Sequence, residues 1–119
     1  MQTLRANPVF SDEEITLKVE YKNVKIRLAD IEYIEAMDNY VRVVLTSDRP
    51  VLSQTSMKAV MDLLPADRFM RVHKSYIVPL HKVAAYSRRQ LTLHHRAVEL
   101  PVGRVYADEF VGRMSQLRS

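Results

Sequence analysis

From Ile15 onward the chain alternates: Ile15, Leu17 and Val19 are apolar, Thr16, Lys18 and Glu20 are polar, and the same period resumes at Val24, Ile26 and Leu28 after Tyr21-Lys22-Asn23. A period of two puts one set of side chains on one face of a strand, so two short strands joined by a tight turn are predicted. Ile31-Glu32-Tyr33-Ile34-Glu35-Ala36 continues as a strand, Met37-Asp38-Asn39 interrupts it, and Tyr40 to Thr46 returns rich in β-branched and aromatic residues. Asp and Asn tolerate left-handed backbone, which marks a hairpin tip at the interruption. Ser47-Asp48-Arg49-Pro50 reads as the next turn and Val51-Leu52-Ser53 as the next strand.

The period then changes. Met57, Val60, Met61 and Leu64 share one face of a helix that Ser53 or Thr55 caps and Pro65 stops, with Lys58 turned to solvent. A single apolar stripe has to be buried, so this short helix is expected to plug an open end of the β-structure. The run from Arg68 to Pro79 is apolar at both ends (Phe69, Val72, Tyr76, Ile77, Val78) and basic in the middle (Arg71, His73, Lys74), as expected of a rigidly held loop that offers cations to a partner. The β-pattern returns at Lys82 to Tyr86, Leu91 to His95 and Ala97 to Val102, with Ser87-Arg88-Arg89-Gln90 as a hairpin tip. Gly103-Arg104 opens a final helix carrying Tyr106, Phe110, Met114 and Leu117. Residues 1–14, with Asn7-Pro8 and the acidic run Asp12-Glu13-Glu14, show no apolar period and read as a leader or linker before a domain spanning 15–119. The sum is a mainly β domain of nine or ten short strands, one short internal helix and a C-terminal helix. Helical patterns do not alternate with strands, which disfavours a doubly wound fold.

A chain of 119 residues forms one domain with its own core. It has no cysteine, which excludes thiol nucleophiles, cysteine-based zinc sites and disulfides and fits a reducing cytoplasm. No apolar run approaches the roughly 18 residues of a membrane span, and the start lacks the apolar core of a signal peptide; a soluble cytoplasmic protein is expected. Charge adds more. The net charge is only +4, but from Arg68 to Arg104 there are eight Lys/Arg and all four histidines against one acid, Glu99, and the remainder is net negative. Such asymmetry is the footprint of a nucleic-acid binder and, less often, of a protein that meets anionic lipid or an acidic protein face.

Catalytic constellations are weak. His73 and Ser75 would share a face of an extended strand, but no glycine-bearing nucleophile turn accompanies them. Adjacent His94 and His95 point to opposite faces of a strand and have no carboxylate nearby in sequence, so no metal is expected there. Nor is there a phosphate-cradling Gly-rich loop, so no cofactor and no enzyme is expected. Among nucleic-acid binders, single-strand readers need exposed aromatics for base stacking, whereas duplex readers need long polar side chains on loops. The six tyrosines and three phenylalanines fall mostly at core-facing positions, while Arg, Lys, His and Asn collect at predicted loops. Duplex DNA is the expected partner; the rival is a protein-interaction or membrane-associated sensory module using the same basic face.

Four blocks in order carry a resemblance: Asp30-Ile31-Glu32-Tyr33-Ile34-Glu35-Ala36-Met37-Asp38-Asn39-Tyr40-Val41; Leu63-Leu64-Pro65; Phe69-Met70-Arg71-Val72-His73-Lys74-Ser75-Tyr76-Ile77-Val78; and Leu100-Pro101-Val102-Gly103-Arg104. Over about Ile15 to Leu117 the chain resembles the LytTR family of bacterial DNA-binding domains, most specifically in the Phe-x-Arg-x-His-x-Ser-Tyr-x-Val pattern from Phe69. The resemblance implies an elongated array of small antiparallel sheets whose loops enter successive major grooves of a duplex. It implies the output half of a two-component response regulator, behind a receiver domain, that binds paired direct repeats in promoters as a dimer. It carries DNA contacts to Asn39 and Tyr40, to Arg71, His73, Lys74 and Ser75, and to Gly103 and Arg104. Lys58, Arg88 and Arg89 are added as phosphate contacts from their exposed positions. Two departures stand out: Gly103 occupies a position where many members carry serine, and the leader is too short for a receiver domain, so the chain is expected to be a stand-alone regulator or an excised output domain.

Overall fold

The computed structural model describes residues 13–47 and 49–117. The expected leader therefore lies outside the described residues, apart from Glu13, whose carbonyl accepts the Leu28 amide, and Glu14, which already opens the first strand. That strand, β1 (Glu14–Val19), pairs antiparallel with β2 (Lys22–Arg27) as a separate two-stranded sheet, with Ile15 opposite Ile26 and Leu17 opposite Val24. The turn between them is Glu20-Tyr21 rather than Tyr21-Lys22-Asn23. Glu20 takes a left-handed backbone (φ 57°), which lets two residues close the loop, so Lys22 and Asn23 join the strand while the apolar pairs keep their register.

A five-stranded antiparallel sheet forms the middle of the molecule, in the order β5 (Val51–Ser53), β4 (Tyr40–Leu45), β3 (Ile31–Met37), β7 (Tyr76–Pro79), β6 (Phe69–His73). Its two faces feed two cores. Ile34, Val41, Val43, Phe69 and Ile77 meet Ile15, Leu17 and Ile26 of the hairpin and Met57 and Val60 of helix α1 (Met57–Leu63) on one side. Tyr33, Val44, Met70, Val72 and Val78 face the other side. There they meet a three-stranded sheet, β8 (Val83–Tyr86), β9 (Gln90–Leu93) and β10 (Arg96–Pro101), together with Phe110 of helix α2 (Ala107–Leu117). Burial on both faces explains why Tyr40 to Leu45 and Phe69 to Val78 read as apolar runs rather than as clean alternation.

Helix α1 does cover one side of the β-structure, but its cap is neither Ser53 nor Thr55. The Ser56 hydroxyl accepts the Ala59 amide (3.0 Å), satisfying a first-turn donor. Ser53 is buried instead and donates to the Lys18 carbonyl (2.6 Å), which fastens β5 to β1. The last helix also starts later than expected. Gly103 is extended, Arg104–Tyr106 is a single 3-10 turn, and α2 proper begins at Ala107.

One polar cluster crosses the second core. The Lys82 ammonium donates to the carbonyls of Ala29 (2.7 Å) and Ile31 (2.9 Å) and to Glu32 Oε2 (3.3 Å), and the Thr46 hydroxyl donates to the same carboxylate oxygen (2.7 Å). Arg96 donates to the Leu45 carbonyl (3.0 Å). These bonds tie the outer sheet to the beginning and end of the β3–β4 hairpin. Glu32 is almost wholly buried, and burial alone would raise its pKa; the Thr46 hydrogen bond and the Lys82 and Arg96 charges outweigh it and hold the carboxyl below its ordinary value. A folded pKa below the unfolded one of about 4.3 means that Glu32 stabilises the fold above that pH and that its contribution is lost as pH falls through the folded value. Glu32→Gln leaves the Lys82 charge without its counter-ion and is expected to cost about 3 kcal/mol at pH 7. The difference from wild type should shrink as pH is lowered toward 3, read as urea midpoints across the pH series.

Candidate nucleic-acid interface

Three backbone hydrogen bonds bring loops that are distant in sequence onto one edge. The Ala36 amide donates to the Ser75 carbonyl (2.9 Å), the Gly103 amide to the Val72 carbonyl (2.7 Å) and the Val102 amide to the Arg89 carbonyl (2.9 Å). In order along that edge lie the β3–β4 turn at Asp38-Asn39, the β6–β7 turn at Lys74-Ser75, the segment Gly103-Arg104 and the β8–β9 turn at Ser87-Arg88-Arg89. The sequence places three of these together through the family resemblance. The fourth, the arginine turn, is joined by a main-chain bond and is not a free solvated tip.

The run from Arg68 to Pro79 is a tight hairpin rather than an open loop. β6 and β7 are connected by Lys74 and Ser75 alone, with His73 opposite Tyr76 and a register shift between Arg71 and His73 that twists the tip. His73 Nδ1 accepts the Ser75 amide (3.0 Å), and one Arg71 guanidinium nitrogen donates to the Lys74 carbonyl (2.5 Å). Both side chains are half-buried and stiffen the turn from within, and the Arg71 Nε is buried without a partner among the described residues. The His73 ring is engaged with a main-chain amide rather than with the Ser75 hydroxyl, the arrangement of a turn and not of a base and nucleophile. Below the tip, the Tyr76 hydroxyl donates to Glu35 (3.3 Å), which Arg42 also holds (2.9 Å). Burial and then the Glu35 charge raise the Tyr76 pKa, so the phenol stays a proton donor. Lys74 is left exposed at the apex, with no ion pair among the described residues.

At one end of the edge, Asp38 adopts a left-handed backbone (φ 46°) that closes the β3–β4 turn and presents Asn39 and Tyr40 to solvent. Farther along, Gly103 packs against the Tyr106 ring: a Cβ there would sit 3.0 Å from that ring and 3.6 Å from the His73 Cα. This close approach, not an unusual φ, is what the glycine serves, since its φ is −71°. Arg104 and Arg89 are exposed and carry no ion pair among the described residues, while Arg88 pairs with Asp108 (2.6 Å). The Ser87 hydroxyl accepts the Arg89 amide (3.1 Å) and fixes the arginine turn. Neither Ser87 nor Asp108 stands out in the sequence, although a serine opening a turn is the residue type for that bond. Lys58 is exposed on α1 and pairs with Asp62 (3.4 Å); the bonds that assemble the edge do not include it.

The aromatic residues are less buried than the sequence suggests. Tyr21, Tyr40 and Tyr86 are exposed, but Tyr21 lies in the β1–β2 turn and the other two in different sheets; Tyr86 packs edge-on against Phe110 (5.6 Å). Among the described residues no three His, Cys, Asp or Glu side chains converge to hold a metal, and no helix is long and apolar enough to cross a membrane.

No curated protein sequence matches the chain. Among solved structures, a LytTr DNA-binding domain from Bacillus cereus is similar at 25% identity and a TM-score of 0.68, covering 85% of this chain and 95% of that one. The model of the LytTr DNA-binding domain family matches residues 21–115. That span contains every residue of the edge from Ala36 to Arg104, the whole second core and all of the first core except Ile15 and Leu17: the chain belongs to the LytTr DNA-binding domain family.

Proposed function

We propose that this domain binds duplex DNA sequence-specifically through the four-loop edge, as the output domain of a transcription regulator and with no catalytic step of its own. The observation that supports the reading is the linked loops: main-chain bonds join the segments that carry Asn39, Lys74, Arg104 and Arg89, all four side chains are exposed, and the three cations have no ion pair among the described residues. Arg and Lys on fixed loops suit phosphates and guanine edges, and Asn suits adenine. Insertion of these loops into successive major grooves rests on the family resemblance.

Within this reading the residues divide by task. Lys74, Asn39 and Arg104 touch DNA. Arg71, His73 and Ser75 hold the apex in place, with any contact to DNA coming from the donors that the turn leaves over. Tyr40 supports Asn39 from the strand. Dimeric binding to paired direct repeats and a receiver domain upstream in the full-length regulator complete the reading; both rest on family resemblance.

Lys74→Ala is expected to leave the melting temperature within about a degree of wild type and to weaken binding to the selected site by roughly 10- to 100-fold, relaxing preference at one base pair if Lys74 contacts a base. Arg71→Ala removes a bond inside the turn and should lower both affinity and melting temperature. Calorimetry and fluorescence anisotropy on the same samples separate the two.

Selection from random duplex DNA should recover a repeated motif, and affinity for it should fall steeply with salt as phosphates are neutralised. Recovery of no motif, together with a flat salt response, would sink the DNA-reading function and leave the rival of an acidic protein partner.

A further inference from the structure

We propose that Arg88, Arg89 and Arg104 form a clamp for a single DNA phosphodiester, and that Asp108 competes for one arm of it, Arg88, as an internal counter-anion when DNA is absent. The proposal rests on the DNA-binding reading above and adds to it a device that selects for correct register.

The three arginines line one cavity of about 460 Å³ together with Val102 and Ala107. They come from two segments that are fixed to each other: the Val102 amide donates to the Arg89 carbonyl (2.9 Å), and the Ser87 hydroxyl accepts the amides of Arg89 (3.1 Å) and Gln90 (3.3 Å). Three guanidinium groups on a fixed frame repel one another and favour any anion that enters between them. Arg88 has found one already in the Asp108 carboxylate, 2.6 Å away on the first turn of α2. Both partners are largely solvent-exposed (61% and 89%), so the pair is weak and exchangeable. Its neighbour Glu109 pairs with Arg113 (3.8 Å) instead, so the two adjacent acids of this helix turn have different partners.

Asp108 then opposes indiscriminate binding. A phosphate that drifts toward the clamp must displace a carboxylate from Arg88 and meets its negative charge. A phosphate held in place by the base-reading loops is delivered at high local concentration and wins the exchange. The expected outcome is that Asp108 lowers affinity for mixed-sequence DNA more than affinity for the selected site.

The test uses the intact chain and a fluorescent mixed-sequence duplex, titrated over a range of salt, with Asp108→Asn, Arg88→Ala, the double variant and Glu109→Gln. Asp108→Asn should tighten mixed-sequence binding by about two- to fivefold, in line with the weakness of an exposed pair. It should also steepen the dependence of log K on log salt by about 0.9, one additional phosphate. Glu109→Gln, which removes the same charge one residue away, should do markedly less, and Arg88→Ala should abolish the Asp108→Asn gain. If Glu109→Gln matches Asp108→Asn, or if the gain survives in the Arg88→Ala background, the effect is net charge alone and the clamp is overturned. Wild-type protein that binds no duplex at all would instead overturn the DNA-binding reading, and the clamp with it.

Discussion

The bond from the Gly103 amide to the Val72 carbonyl (2.7 Å) is the joint on which the interface depends. Val72 lies on β6, the outer strand of the central sheet, and Gly103 begins the passage into α2. A single main-chain contact therefore occupies a group on the sheet edge and sets the third loop against the second. It also starts the helix whose Phe110 fills the second core. Glycine permits it: the Tyr106 ring and the His73 backbone leave little room for a side chain at that position.

Around it, the structure separates the work of stability from the work of contact. Apolar residues on both faces of the central sheet supply the two cores, and the Lys82–Glu32 cluster fastens the outer sheet to them. The charged groups of the edge have little part in that. Those that do, Arg71 and His73, satisfy main-chain groups of their own hairpin. The remaining cations are exposed and fixed through their backbone, so binding does not need to order the loops that carry them, which lowers its entropic cost.

Much of this was legible in the sequence. Alternation at Ile15 to Leu28, the apolar runs of β4 and β6–β7 and the helical stripe at Met57 to Leu64 all reflect burial, and burial leaves a period. What the period does not encode is how main-chain groups pair. The link from Val102 to Arg89 involves only main-chain groups, so residue types suggest Arg88 and Arg89 as contacts but not the bond that holds their turn in place. The same limit explains the misplaced cap: Ser53, Thr55 and Ser56 all carry a hydroxyl, and only the packing of β5 against β1, with the Ser53 hydroxyl on the Lys18 carbonyl, withdraws Ser53 into the interior. Arg71 reads as a free cation because sequence reveals its charge but not the Lys74 carbonyl that engages it. The exposure of Tyr40 and Tyr86 has a related origin, since alternation predicts which side of a strand a residue lies on and not whether another layer covers it.

The order in which the edge is assembled has a consequence for biosynthesis. Its three joints connect residue 36 with 75, 72 with 103 and 89 with 102, so two of them span long stretches of chain and two close only after β10 is in place. Contacts this distant form late and together, because chain entropy must be overcome before any of them is made. A growing chain that has emerged only as far as β7 can hold Lys74 on its hairpin but has no Gly103 to set it against. The four-loop edge is thus complete only once the last third of the domain has been made.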